Sequence, residues 1–194
     1  MNELTTANEV GAQENQPGSS LVGQSGQYLT FLVGGERLGL NINEVNEIIE
    51  ISNMTRVPMT PDYIQGVINL RGSVVPVVDL SARLGHKVSD IGKRSCIVLV
   101  ELTVEEEKQT LGMLVDQVDE ILDIPAEKIQ LAPEFGADIR TEFIQAMGRV
   151  GDDFIILLDV SRVLSVSELT VLSDMAQNTR NTEADEVKQA KEVS

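Results

Sequence analysis

Between residues 28 and 169 the apolar residues come in short runs rich in Val, Ile and Leu, interrupted every 8 to 12 residues by Gly, Pro, Asn or Asp. That spacing belongs to short strands joined by turns. It predicts strands over 28–33, 37–42, 66–70, 73–79, 95–102, 110–115, 121–124, 144–150 and 154–159. Gly34-Gly35, Arg71-Gly72 and Gly151-Asp152-Asp153 each separate two runs at hairpin-loop length, where positive φ is needed and Gly provides it. Short helical turns are predicted after Asn43 (through Glu44, Val45, Ile48 and Ile49), Pro61, Ser81 and Ser161, each opening on a capping or first-turn residue. None is long enough to carry a core.

The flanks lose this pattern. Residues 1 to 27 are mostly Asn, Gln, Ser, Gly and Thr, with too little apolar surface to offset the entropy of ordering, and read as a disordered tail. A helical pattern runs from Leu169 through Val171, Leu172 and Met175, after which the chain is polar and mixed in charge.

Laid on itself, the chain repeats. Residues Leu38 to Ile49 match Leu111 to Leu122 at an offset of 73 without a gap, the pair Gly39 and Gly112 among them. A second register at an offset of 80 aligns Tyr63-Ile64-Gln65-Gly66 with Phe143-Ile144-Gln145-Ala146, and Asp79-Leu80-Ser81 with Asp159-Val160-Ser161. The change of offset requires only a longer loop in the second half, which 123–142 supplies. Two such halves, mostly short strands with no room for crossover helices, fit a pair of small five-stranded barrels. Each is marginal alone, so the two should share apolar surface and leave a groove where they meet. The competing reading is one irregular β-sandwich whose strands resemble each other by chance.

Composition narrows the function. Thirty-one acidic against 15 basic residues give a net charge of −16 in 194 residues, which repels phosphate backbones and anionic headgroups. No nucleic-acid partner is expected. No apolar run is long enough for a membrane span, and the first 27 residues lack the Lys, Arg and apolar stretch of a signal peptide, so direct membrane insertion is not expected and the chain is placed in the cytoplasm. Cys96 is the only cysteine and His86 the only histidine, which excludes an internal disulfide and leaves little for a transition-metal site or a Ser-His-Asp triad. Cys96 sits in an apolar run and reads as a small buried hydrophobe. No Walker loop, dinucleotide fingerprint, HExxH or nucleophile elbow occurs. Asp116, Asp119, Glu120 and Asp123 form the densest carboxylate group, and at helical spacing Asp116, Asp119 and Asp123 share a face suited to a hard cation; the alternative is a turn with acids near its positive end. Glu105-Glu106-Glu107-Lys108 reads as a solvated hairpin tip.

The informative segment runs from Gly66 to Leu80. Its two apolar strands meet at Asn69-Leu70-Arg71-Gly72, a turn that holds a guanidinium fork clear of the surface, either to meet a carboxylate partner or merely to solvate the turn.

At these residues the sequence resembles the CheW-like coupling proteins of bacterial chemotaxis. The resemblance covers about Gln24 to Glu168, through Phe31 to Ile49, Ile68-Asn69-Leu70-Arg71-Gly72 with Asp79-Leu80, Gly112 to Asp119, and Ala132-Pro133-Glu134-Phe135. It implies an all-β fold with short helices, built from two intertwined SH3-like five-stranded β-barrel subdomains. The expected organisation is a tail over 1–23, a CheW-like domain over 24–168 with halves of about 28–90 and 94–164, and a helical or disordered tail over 169–194. It also implies a non-enzymatic adaptor without cofactor or metal. Its partners would be the regulatory domain of the histidine kinase CheA and the cytoplasmic tips of methyl-accepting chemoreceptors, in arrays at the inner membrane. No receiver sequence follows the repeat, which sets the chain apart from the adaptor-receiver fusion CheV. A small-molecule or divalent-metal regulatory module using 116–123 is the alternative.

Matched residue by residue, Val45, Glu47 and Arg71 fall at first-subdomain positions that the family associates with receptor or kinase binding, and Gly112 and Ile121 at second-subdomain positions of the same coupling function. Val45 and Ile121 could equally be core residues, and Gly112 could serve close strand packing. Glu47 is expected to lie near Arg71 and orient its guanidinium.

Overall fold

The computed structural model describes residues 21–104, 106–132, 141–165, 167–172 and 174. The expected tails and the Pro133-Glu134-Phe135 block lie largely or wholly outside them. Eleven strands are formed among these residues: β1 (Gly26–Val33), β2 (Glu36–Asn41), β3 (Val45–Glu50), β4 (Ile64–Leu70), β5 (Ser73–Asp79), β6 (Cys96–Val104), β7 (Glu107–Val115), β8 (Gln117–Ile124), β9 (Ile129–Gln130), β10 (Ile144–Val150) and β11 (Asp153–Leu158). Among the described residues helix is limited to α1 (Leu80–Arg83), the helical residues 167–172 and 174 of α2, and single 3-10 turns.

The strands form two sheets, ordered β3-β6-β7-β5-β4 and β8-β1-β2-β11-β10-β9. Apart from the two-residue β9, the orders are equivalent under the sequence repeat: β3 answers to β8, β7 to β2, β5 to β11 and β4 to β10. Register agrees too. Val77 pairs with Gly112 in the parallel β5–β7 contact, and Leu157 with Gly39 in the parallel β11–β2 contact, which are the same positions at offsets of 80 and 73. Both sheets are bulged at matching places, between Val45 and Glu47 and between Ile64 and Gly66 in one, opposite Leu29/Phe31 and between Ile144 and Ala146 in the other. The chance-resemblance sandwich is thereby excluded, and the fold is the pair of intertwined SH3-like barrels.

The intertwining is an exchange of hairpins. The β1–β2 hairpin of the first half joins β8, β10 and β11, and the β6–β7 hairpin of the second half joins β3, β4 and β5. A boundary near residues 90–94 separates the two repeats but does not separate the two sheets. The chain crosses between sheets at Ile42–Glu44 and again at Asp116.

This exchange explains the unbroken apolar runs. In β6, Ile97 and Leu99 point into their own barrel, with Ile68, Val75, Val77 and Leu114, while Val98 and Val100 point into the core shared with the other barrel. In β11, Ile155 and Leu157 fill the second barrel and Leu158 the shared core. Strands buried on both faces read as continuous Val/Ile/Leu rather than as alternation. The shared core is the largest apolar cluster and includes Phe31, Leu38, Met113 and Phe143.

Three local expectations are corrected. The helical turn predicted through Ile49 ends at Glu44: Ile42–Glu44 is a 3-10 turn, with the Asn41 side chain accepting from Asn43 N, and Val45–Glu50 extends as β3 because pairing with β6 satisfies its backbone. After Pro61 only a turn forms, closed by Ile64 N donating to the Pro61 carbonyl at 2.9 Å. The turns predicted at Ser81 and Ser161 exist, but Asp79 and Asp159 cap them, accepting from Ala82 N and Ser161 N.

Candidate functional site: an ion-paired barrel end

The Asn69–Gly72 hairpin turns on two residues in positive φ, Arg71 at 50° and Gly72 at 86°, with the Asn69 side-chain oxygen accepting from Gly72 N at 3.0 Å. Two positive φ values match the twist of the flanking strands, but the first suits Gly or Asn and strains an Arg by about 1 kcal/mol. From this corner Arg71 Nη2 donates to both carboxylate oxygens of Glu47, each at 3.0 Å. The expected pair therefore forms. The Arg71 side chain is 74% exposed and that of Glu47 38%, so the contact stabilises the fold by no more than about 1 kcal/mol and serves mainly to aim the guanidinium.

The bulge at Asn46 turns Glu47 toward Arg71. Val45, just before the bulge, is half-buried against the shared core. Gly112 is buried in β7, where an added Cβ would lie 2.9 Å from Ile97 Cγ2 and 3.2 Å from Val77 Cγ2, so close packing is its local role. It belongs to the second half of the repeat, and hairpin exchange puts it in the same sheet as Arg71 and Glu47. Ile121 lies on β8, the edge strand of the other sheet, and is 53% exposed, so it is not a core residue. Its equivalent at the offset of 73, Ile48 on edge strand β3, is 43% exposed. Of the residues singled out in the sequence, Val45, Glu47, Arg71 and Gly112 thus lie in one sheet, with Ile121 apart from them on the other.

The carboxylates of 116–123 do not gather. On a strand, successive side chains alternate faces, unlike the helical surface first expected. Asp116 accepts from Gly34 N at 2.8 Å, while the bulge opposite Leu29/Phe31 breaks the alternation and lets Asp119 and Glu120 both pair with Arg37, at 2.6 and 2.9 Å. Among the described residues no group of three or more His, Cys, Asp or Glu is placed to hold a metal ion. Cys96 is half-buried, and burial pushes its thiol pKa up.

Sequence reasoning missed Arg83. Its guanidinium lies 4.5 Å from the Tyr63 ring centroid and 5.3 Å from that of Phe143, residues equivalent at the offset of 80, and its Nε donates to the Val163 carbonyl. Arg83 therefore bridges the two halves where their repeat axis passes, and its Nη2 holds Glu168 of α2 at 3.3 Å. The Tyr63–Phe143 match was the available signal.

Glu44, where the chain crosses between sheets, is held well above the ordinary carboxylate range, at about 7, by burial and then by the charge of Asp159. Its Oε2 is buried without a hydrogen-bond partner. The folded chain keeps this proton where the unfolded chain releases it, so the group favours folding most below pH 4.5, and that advantage is lost as pH rises to about 7. Glu44→Gln is expected to stabilise the protein at pH 8 by on the order of 1–2 kcal/mol, discounted for partial exposure, and to change little at pH 4.5. Thermal melts across that range check it.

The fold and site define a double-barrel protein that exchanges hairpins between its halves and presents an ion-paired turn at one barrel end. The chain belongs to the CheW-like family: a model of the CheW-like domain matches residues 27–168. The chain is 33% identical over 157 residues to the chemotaxis protein CheW of Klebsiella aerogenes, covering 81% of this chain and 91% of that protein. Protein FrzA of Myxococcus xanthus is 32% identical over 145 residues, covering 73% of this chain and 86% of its own. The crystal structure of the scaffolding protein TtCheW from Thermoanaerobacter tengcongensis superposes with a TM-score of 0.66 at 31% identity, over 73% of this chain and 89% of that one.

Proposed function

We propose that this chain is a non-enzymatic, cytoplasmic adaptor that couples the cytoplasmic tips of methyl-accepting chemoreceptors to the regulatory domain of the histidine kinase CheA. Bridging links the two binding equilibria, so receptor state changes kinase output without chemistry in the adaptor. The observation that carries the reading beyond family membership is Arg71: a strained, exposed Arg, aimed by Glu47, stands at a turn position where Asn or Gly would cost less. Val45, Glu47 and Gly112 form or support that contact surface. Ile121 offers an apolar contact on the other barrel, so two partners can be held on separate faces. No helix among the described residues is long and apolar enough to cross a membrane, and attachment to receptor arrays would run through the receptors.

Arg71→Ala is expected to weaken binding to a receptor fragment or to the kinase regulatory domain by about tenfold with the melting temperature nearly unchanged. Arg71→Asn, which relieves the strained φ but gives up the pair with Glu47, should lose the same affinity while leaving stability within about 1 kcal/mol of the parent. Titration calorimetry with a thermal melt of each variant tests both. Wild-type affinity in the two variants, or a large loss of stability in Arg71→Asn, would make Arg71 a structural residue.

A further inference from the structure

The turn between β3 and β4 is built to present one apolar side chain. In Arg56-Val57-Pro58-Met59-Thr60-Pro61-Asp62 the two prolines fix their own φ and restrict Val57 and Thr60 before them. Val57 is buried, the Thr60 hydroxyl donates to the Val57 carbonyl at 2.8 Å, and Ile64 N donates to the Pro61 carbonyl at 2.9 Å. At the head of this braced turn Met59 is held at φ 63°, where Gly or Asn would be less strained, and it is 98% exposed. Single apolar residues are ordinary on a protein surface. This one is held out by a rigid, strained turn and has an apolar hollow beside it.

The hollow lies between the turn and α2. It is a pocket of about 250 Å³ walled by Pro61, Tyr63, Ile64, Val171 and Leu172, with Met59 at its rim. Ile64 and Leu172 are buried parts of the shared core, whereas Val171 is 50% exposed. Glu168, the charged group at the pocket, is already occupied, accepting from the Tyr63 hydroxyl, Arg83 and Ser165. What is left calls for an apolar occupant. The volume suits one long side chain rather than a small molecule, whose pockets run to about 300–1,000 Å³. Methionine, unbranched and adaptable, fills such irregular hollows well.

Two features select a second copy of this chain as the occupant. A knob and a hollow side by side on one surface are what a two-fold contact needs, since each copy then offers the residue that the other receives. Charge agrees. At a net charge of −16 most contacts between copies are repulsive, but this patch is balanced: Glu168 is paired with Arg83, and the exposed Arg56 and Asp62 stand at opposite ends of the turn, neither in an ion pair among the described residues. A two-fold axis passing between them sets Arg56 of one copy against Asp62 of its partner.

We infer that the turn over 56–62 and α2 form a self-complementary docking surface through which two copies of this chain associate, Met59 of each entering the pocket of the other and Arg56 pairing with Asp62 across the two-fold axis. The contact is small, so association is weak in free solution and increases where copies are held close together. It uses none of Val45, Glu47, Arg71, Gly112 and Ile121, and so stands independently of the proposed function.

Sedimentation equilibrium of the full chain tests this. The average mass is expected to rise from that of one chain toward that of two as the concentration approaches about 1 mM. Met59→Asn, which suits φ 63° and removes the knob, is expected to keep its melting temperature and to weaken dimerisation by about tenfold or more. Arg56→Asp and Asp62→Arg should each weaken it, while an equimolar mixture of the two variants regains it, because both pairs across the axis are then of opposite sign. A chain that stays monomeric throughout, a folded Met59→Asn that dimerises like the parent, or a mixture no more associated than either variant alone overturns the inference. A receptor or kinase fragment that loses affinity for Met59→Asn while the chain stays monomeric overturns it as well and assigns the patch to that partner.

Discussion

Gly66→Ala is expected to destabilise the protein by about 4 kcal/mol and to lower its melting temperature by roughly 10 °C. Gly66 sits at the bulge of β4 with φ at 149°, which L side chains rarely adopt. A Cβ there would fall 2.4 Å from the Thr55 carbonyl oxygen and 3.0 Å from its carbon, and backbone cannot swing aside as a side chain can. Thr55 is itself pinned, donating to the Val67 carbonyl at 2.9 Å and accepting from Val67 N at 2.8 Å. Making room for one methyl therefore breaks that bridge and adds backbone strain. Urea unfolding measures the loss. The repeat supplies the control: Ala146 stands at the equivalent position and is fully buried, so the second barrel already accommodates the methyl that the first cannot.

Asp79→Ala is expected to cost about 3 kcal/mol. The carboxylate is fully buried and accepts four hydrogen bonds: from Ala82 N and Ser89 Oγ at Oδ1, and from Ser89 N and the Gln65 side-chain amide at Oδ2, at 2.7 to 3.2 Å. One side chain thus caps α1, ties down the segment around Ser89 and fixes β4. Truncation strands all four donors. Asp79→Asn separates these roles, because Oδ1 survives as a cap while an amide nitrogen faces two donors; about half the loss is expected. The carboxylate of Asp159, its counterpart, accepts from Ser161 N and Oγ and pairs with Arg162 on the exposed end of its turn, so Asp159→Ala should cost about 1 kcal/mol. Thermal melts of the three variants give the order.

Much of this architecture was legible in the sequence because a repeat constrains structure more than propensity does. Val77 and Leu157, or Gly39 and Gly112, occupy equivalent places in the two ladders, and the offsets of 73 and 80 are visible before any coordinates. The Arg71–Glu47 pair was legible because a guanidinium at a tight turn calls for a carboxylate. Two features were hidden for physical reasons. Self-similarity shows which strands are equivalent but not which are hydrogen-bonded, so the repeat alone does not say that the β1–β2 and β6–β7 hairpins are the pieces exchanged between the halves. β3 was misread because its bulge at Asn46 and its exposed Ile48 disturb strict alternation, leaving Val45, Ile48 and Ile49 at a spacing that imitates a helix.

The bridging claim is tested most directly by mixing the full chain with a chemoreceptor cytoplasmic fragment and the CheA regulatory domain and measuring the sedimentation of the mixture. The account predicts one species containing all three, with the receptor and kinase fragments failing to associate when this chain is omitted. A chain that binds only one of them at a time, so that adding the receptor fragment displaces the kinase domain, would contradict it.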